Sequence, residues 1–115
     1  MAFNREEVIW AAGLFEGEGT ITIARLPSGK QYPRIKVKMT DEDVIAKFAS
    51  IFDMTYRSVQ KDKSWQEHWK DAWYTDCTGK KAYAVLMAIY PWLGTRRRTR
   101  VREAINAWKG GSCGV

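Results

Sequence analysis

Two carboxylates stand between glycines near the N-terminus, in the segment "WAAGLFEGEGTITI" that occupies residues 10–23. Glu16 and Glu18 follow an apolar run with helical spacing and precede a strand rich in β-branched residues. Carboxylate oxygens at such a junction suit a hard divalent cation such as Mg²⁺. The alternative for Glu18 taken alone is an exposed turn acid without a function. The surrounding residues must therefore decide whether Glu18 is a cation ligand or an exposed turn acid.

Two glycines precede these acids at a spacing of one helical turn. Gly13 and Gly17 clear one stripe of the predicted helix, and Ala12 extends this small-residue surface. Each glycine costs a helix about 1 kcal/mol relative to alanine, which indicates that another backbone approaches closely. If two copies pack through this stripe, their Glu18 carboxylates lie side by side and can hold divalent cations between them. Packing inside the domain's own core is the alternative that the spacing leaves open.

The charge distribution predicts a polyanionic partner. The formal net charge is +6 and the isoelectric point is near 9.5. Residues 1–24 contain one base and four acids, whereas residues 25–39 contain five bases and no acid. Residues 96–109 contain six bases and one acid. Solvated basic faces are one explanation, but two basic blocks around one acidic locus favour phosphate binding.

Length and composition predict one soluble intracellular domain. The chain has 115 residues, of which 45% are hydrophobic and 28% charged. We expect a single domain over residues 1–109 and a flexible tail over residues 110–115. No apolar run is long enough to span a bilayer, and the N-terminus lacks a signal-peptide pattern. One histidine (His68) and two distant cysteines (Cys77 and Cys113) leave no zinc-ligand set and no disulfide framework.

The pattern of helices and strands predicts an α+β fold. Capping boxes begin helices at Asn4 and Thr40, and Pro91 and Gly94 end a third, strongly apolar helix. A last helix follows from Thr95. The tryptophans at 65, 69 and 73 suit a helix face and a strand face equally, and the Tyr and Thr content after them favours a strand. The predicted order is helix, two strands, helix, two strands, helix and a further helix, with the strands near residues 19–26, 32–40, 54–61 and 69–78.

The second predicted strand separates cations from apolar side chains. In "YPRIKVKMT" the period of two places Ile35, Val37 and Met39 on one face. The other face then carries Tyr32, Arg34, Lys36 and Lys38. One face of the sheet should meet a core while the other presents positive charge.

The segment "AAGLFEGEG", Ala11–Gly19, resembles the nine-residue signature of the LAGLIDADG homing endonucleases. It differs by Phe15 for Ile, by Gly17 for Ala, and by glutamate for both aspartates. The order of helices and strands agrees with that family through nearly the whole chain. The resemblance implies an αββαββα fold with a four-stranded antiparallel, saddle-shaped sheet and an extra C-terminal helix. It also implies that the motif helix forms the subunit interface, here through Ala12, Gly13, Glu16 and Gly17.

The resemblance assigns roles to individual residues. Glu18 takes the position of the acid that binds the catalytic metal, Mg²⁺ or Mn²⁺, whereas Glu16 is structural. Asp41 stands where the family often has a polar residue near the attacking water. Arg96 follows the "PWLG" turn where a basic residue reaches toward the scissile phosphate, with Arg97 or Arg98 as alternates. The alternative for these arginines is phosphate binding without a role in catalysis.

A single motif in the chain implies a homodimer on double-stranded DNA. Two-fold symmetry favours a palindromic or pseudo-palindromic duplex. A second strand of about 25–30 Å spans about eight base pairs, so two subunits would cover roughly 16–20 base pairs. No small-molecule cofactor is expected. The candidate DNA-binding residues are Thr22, Arg25, Tyr32, Arg34, Lys36, Lys38, Arg57, Gln60, Arg97 and Arg98.

Three functions compete at this point. The first is a metal-dependent, site-specific DNA endonuclease, which the presence of Glu18 favours. The second is a non-cleaving regulator or an RNA-splicing maturase on the same fold. The third is a basic sheet that stacks single-stranded RNA on tryptophan and tyrosine, and it leaves the glycine-rich motif unexplained. Trp10, Trp92 and Trp108 have the spacing of core residues.

Overall fold

A computed structural model of the chain describes residues 3–59 and 72–113. Four helices and four strands follow one another in the predicted order. The helices are α1 (Arg5–Glu18), α2 (Glu42–Ile51), α3 (Gly79–Ile89) and α4 (Thr95–Cys113), and a 3₁₀ turn covers Tyr90–Trp92. The strands are β1 (Gly19–Arg25), β2 (Gln31–Met39), β3 (Tyr56–Ser58) and β4 (Trp73–Thr78). The α+β class and the αββαββα order with an additional helix are confirmed.

The strands form one antiparallel sheet in the order β1-β2-β4-β3. Thr20 pairs with Lys36 and Thr22 with Arg34 in the first hairpin, while Lys36 pairs with Asp76 across the centre of the sheet. β3 pairs with β4 in the second hairpin, where Arg57 lies opposite Tyr74 among the described residues. A backbone bond of 2.8 Å from Val59 N–H to the Ala72 carbonyl continues that pairing up to the segment that the structure does not describe.

Local signals explain where the first two helices begin. The Asn4 side chain accepts a hydrogen bond of 3.0 Å from the Glu7 backbone N–H, so the predicted N-cap is confirmed. The capping box predicted at Thr40 is wrong by one residue. Asp41 is the N-cap residue of α2, and its side chain makes no capping bond.

The core lies between the inner face of the sheet and the helices. Ile35 and Val37 of β2 are buried there, whereas Arg34, Lys36 and Lys38 alternate toward the other face. The period-two prediction for this strand is therefore confirmed. Phe15, Phe48 and Phe52 are fully buried aromatic members of the same core. Helix α1 contacts α2, α3, β1 and β2, which places its C-terminal end beside the sheet.

Two predicted features differ from the structure. Helix α4 continues to Cys113, so the expected start of the tail at residue 110 falls within a helix. Once a helix has formed, each added residue contributes a backbone hydrogen bond, which carries it past two glycines. Trp92 is 40% exposed rather than a core residue, because it lies in the 3₁₀ turn. In the described ranges no helix has the length and apolarity that crossing a membrane requires.

Candidate nucleic-acid interface and metal site

Glu18 is the last residue of α1 and is exposed. The next residue, Gly19, begins β1 and pairs with Val37 of β2. Glu18 lines a shallow concavity of about 320 Å³, which Lys38, Met39, Thr40 and Ala72 also line. Asp41 is also exposed and follows Thr40 directly. The structure thus brings the end of the first helix to the start of the second.

Of the described residues that line this concavity, Glu18 is the one that suits a divalent cation, whereas Lys38 brings a positive charge. Glu18 provides hard carboxylate oxygens, and the C-terminal end of a helix carries a partial negative charge from its unpaired carbonyl groups. No basic residue occupies the last turn of α1 to compensate that charge. Among the described residues, no three carboxylate, histidine or cysteine side chains come together. A full ligand set would therefore need groups from outside the described part of this chain.

The glycines of α1 face outward. A methyl group at Gly13 or Gly17 would have no described atom within 4 Å, and both residues are exposed. The alternative that these glycines pack against the chain's own core is therefore wrong for the described part of the chain. Ile9 lies one turn earlier on the same stripe and is 39% exposed. The spacing of four residues between Ile9, Gly13 and Gly17 is the signal in the sequence that points to Ile9.

The other two interface candidates make contacts within the chain. Ala12 is fully buried in the core, so it presents no surface to a partner. Glu16 accepts a 2.5 Å hydrogen bond from the Gly94 backbone N–H, and its Oε2 lies 3.8 Å from Arg97 Nε. Glu16 therefore ties α1 to the turn before α4. This position agrees with its expected structural role, although its partners belong to the same chain.

Gly19 is required by packing rather than by backbone conformation. Its φ of −80° is open to any residue, but a Cβ there would overlap the ring of Phe15. Because Phe15 is fully buried, the ring cannot move aside without disturbing the core.

We expect Gly19→Ala to lower the free energy of unfolding by about 1–3 kcal/mol, the usual cost of overpacking a core. Chemical denaturation followed by circular dichroism measures the change. Gly17→Ala, measured at a protein concentration too low for two chains to associate, is the matched control, since a methyl group there meets no described atom. Equal stabilities for the two variants would contradict the packing account.

The arginine run of α4 is divided between internal and exposed positions. Arg97 donates from Nη1 to the Gly19 carbonyl, and Arg100 donates from Nε to the Ile21 carbonyl at 3.1 Å. Because β1 is an edge strand, these two side chains cap carbonyl groups along its open edge. Arg97 also has its guanidinium 5.9 Å from the centre of the Phe15 ring. The Arg97 guanidinium therefore lies against the chain's own β1 and Phe15, and its Nε is buried with no hydrogen-bond partner among the described residues. Arg97 is thus less available to a phosphate than Arg96.

Arg96 and Arg98 make no side-chain bond with any described residue. Arg96 is exposed and Arg98 is half-buried. Arg96 lines a groove of about 540 Å³ between β1 and α4 that Gly19, Thr20 and Thr99 also line. Gly19, which lines this groove, is the chain neighbour of Glu18.

We expect Arg97→Gln to lower the stability of the fold and Arg96→Gln to weaken DNA binding. Arg97→Gln should lower the free energy of unfolding by about 1–3 kcal/mol, because it leaves a strand-edge carbonyl and part of Glu16 without a partner. Arg96→Gln should leave stability unchanged and weaken duplex binding. Parallel denaturation and DNA-binding titrations on both variants measure this. Loss of stability in Arg96→Gln would show that the assignment of the two positions is reversed.

The outer face of the sheet carries most of the predicted DNA-binding residues. Strand register places Thr22, Tyr32, Arg34, Lys36, Lys38 and Arg57 on this face. Arg25 pairs with Gln31 and, by alternation, belongs to the opposite face with Ile21. The register therefore does not group Arg25 with the outer-face residues, and its DNA contact stays a prediction. Gln60 and His68 lie outside the described residues, as do Trp65 and Trp69.

The sequence patterns did not identify two functional candidates on the outer face, Tyr74 and Asp76. Tyr74 lies between two cations, with Lys36 Nζ 4.6 Å and the Arg57 guanidinium 5.5 Å from its ring centre. Asp76 binds Arg34 at 2.7 Å. The tryptophan spacing before β4 suits a helix and a strand equally, and only a strand places both residues on this face.

Solved structures of similar fold are DNA complexes of homing endonucleases. I-CvuI bound to its target in the presence of Ca superposes with a TM-score of 0.71 at 14% identity, covering 94% of this chain and 69% of that one. I-CvuI on the I-CreI target gives 0.61 at 13% identity, with 86% and 65% covered. The group I intron-encoded I-CeuI with DNA gives 0.58 at 15% identity, with 92% and 55% covered.

The sequence itself gives no such match. No protein-family model and no curated protein matches the chain. The chain spans between 55% and 69% of the length of the three solved chains. At identities of 13–15% the likeness lies in the fold.

Proposed function

Because the chain has the LAGLIDADG homing endonuclease fold, we propose that it is a site-specific, metal-dependent endonuclease of double-stranded DNA that acts as a homodimer. One observation carries the proposal. Gly13 and Gly17 lie on an exposed stripe of α1, where an added Cβ would meet no described atom within 4 Å. The helix ends one residue after Gly17, at Glu18. A second copy packed on this stripe would bring two Glu18 side chains together.

The proposed dimer explains why the glycines are kept. Gly13, Gly17 and Ile9 form the proposed contact surface, in which the glycines allow two α1 backbones to approach closely. A two-fold axis through the stripe makes both halves of the contact identical.

Glu18 of each protomer would hold the divalent cations, Mg²⁺ or Mn²⁺. A cation bound there supplies water activation and stabilisation of the leaving oxygen. Asp41 lies exposed beside the same concavity, where its carboxylate can accept a hydrogen bond from a water near the phosphate. Arg96, which lines the groove between β1 and α4, would donate to the scissile phosphate.

The outer sheet face would enter the major groove. The groove is about 12 Å wide, which admits a β-ribbon. β2 has nine residues, so it extends about 30 Å and follows roughly nine base pairs. Thr22, Arg34, Lys36, Lys38, Arg57 and Tyr32 are the proposed contacts, with Arg98 contributing near the phosphates.

Selection of cleaved duplexes from a randomised library with Mg²⁺ tests the proposal. We expect enriched palindromic or pseudo-palindromic sites of roughly 16–20 base pairs, as two nine-residue strands require. Enrichment of bound but uncut sites would favour a regulator or maturase. Absence of any duplex preference would contradict both and favour RNA binding.

A further inference from the structure

One acidic side chain lies on the otherwise cationic outer face of the sheet. Among the described strand residues this face carries Arg34, Lys36, Lys38 and Arg57, and Asp76 is its single acid. A carboxylate on a surface that faces phosphates weakens the electrostatic attraction to DNA. A partly exposed ion pair also contributes little to folding stability. Asp76 therefore needs a reason other than general affinity or stability.

The geometry shows which cation Asp76 holds. Strand register places Asp76 directly opposite Lys36. Its Oδ2 nevertheless binds Nη2 of Arg34 at 2.7 Å, while Lys36 lies over the ring of Tyr74. Both long side chains thus lean to the diagonal neighbour. The bond uses one of the five N–H donors of Arg34, and no other described residue bonds to the rest.

We propose that Asp76 is a positioning residue that holds Arg34 for bidentate hydrogen bonding to a guanine in the major groove. This inference rests on the proposed function. A free arginine on this face would turn toward the nearest phosphate, because that contact needs only charge. An arginine anchored by a carboxylate keeps its planar donor pair directed at the base edge, and O6 and N7 of guanine are its matching acceptors.

The fold also gives the position of this guanine. Glu18 and Lys38 line the same concavity, so Lys38 lies level with the proposed cleavage centre. Arg34 lies four residues further along β2, which is about 13 Å or roughly four base pairs. We therefore expect one guanine about four base pairs outward from the cleaved phosphate in each half-site.

Selection of bound duplexes in Ca²⁺ tests this inference on the wild type, Asp76→Asn, Asp76→Glu and Arg34→Gln. Asp53→Asn, which removes an exposed acid outside the sheet, is the matched control. Asp76→Asn should lower the guanine preference about tenfold at one position in each half-site and leave other positions unchanged. Its non-specific duplex affinity should rise, because a negative charge is removed. Asp76→Glu should restore part of the preference, Arg34→Gln should lose it, and Asp53→Asn should keep it.

Two results would overturn the inference. An unchanged base preference in Asp76→Asn would show that Arg34 needs no anchor, and a uniform loss across all positions would show a purely structural role. Thermal unfolding of each variant separates folding effects from recognition. If the wild type itself selects no duplex, the proposed function fails and this inference fails with it. Selection by the wild type with no effect of Asp76→Asn overturns only the inference.

Discussion

Glu18→Gln should reduce DNA cleavage by at least about 10³-fold and leave duplex binding intact or slightly tighter. Glutamine has nearly the same shape but no negative charge, so it cannot replace a carboxylate as the ligand of a hard cation. Loss of the cation removes several kcal/mol of transition-state stabilisation, and each 1.36 kcal/mol corresponds to a factor of ten in rate. Binding should not weaken, because Glu18 is exposed and has no described partner whose loss would disturb the fold.

Single-turnover cleavage of the selected site at saturating Mg²⁺ measures the rate, and a titration in Ca²⁺ measures binding. Glu7→Gln is the matched control, since Glu7 is another exposed glutamate on the same helix, at its opposite end. It should cleave at the wild-type rate. Cleavage by Glu18→Gln within tenfold of the wild type would contradict the metal assignment. A comparable loss in Glu7→Gln would point to a general effect of charge on α1.

Substitutions at Gly13 should separate the stability of the protomer from that of the dimer. Gly13→Ala should stabilise the protomer by about 0.5–1 kcal/mol, because glycine is costly inside a helix and a methyl group there meets no described atom. The same methyl group holds two packed α1 backbones apart, so dimer affinity should fall. Gly13→Leu should abolish the dimer and, with it, double-strand cleavage. A substitution that stabilises the protomer but weakens the dimer is the result expected for a glycine at the interface.

Sedimentation equilibrium measures the dimer constant, and denaturation at sub-micromolar concentration measures protomer stability. Glu7→Ala serves as the control, because Glu7 is exposed in the first turn of α1, away from the stripe. It should leave the dimer constant unchanged. A dimer that persists in Gly13→Leu would place the interface elsewhere, and a monomeric wild type at tens of micromolar would contradict the homodimer.

The sequence by itself predicted the features that depend on neighbouring residues. The Asn4 cap needs only the N–H of Glu7, three residues away, and the alternation of β2 needs only a period of two. The exit of α1 into a strand followed from Gly19 and the β-branched residues after it. These signals determined the order of the helices and strands, the basic face of the sheet and the place of Glu18 at the end of the first helix.

The tertiary structure decided what each charged side chain does. Arg96 and Arg97 are neighbours of identical type, yet one is exposed and the other caps a carbonyl 78 residues away. Arg34 and Asp76 are 42 residues apart and meet only because β2 and β4 pair in one register. Ala12 and Gly13 are adjacent and small, but the 100° turn between successive helical residues buries one and exposes the other. Such contacts depend on packing between distant segments, which no local pattern of residues encodes.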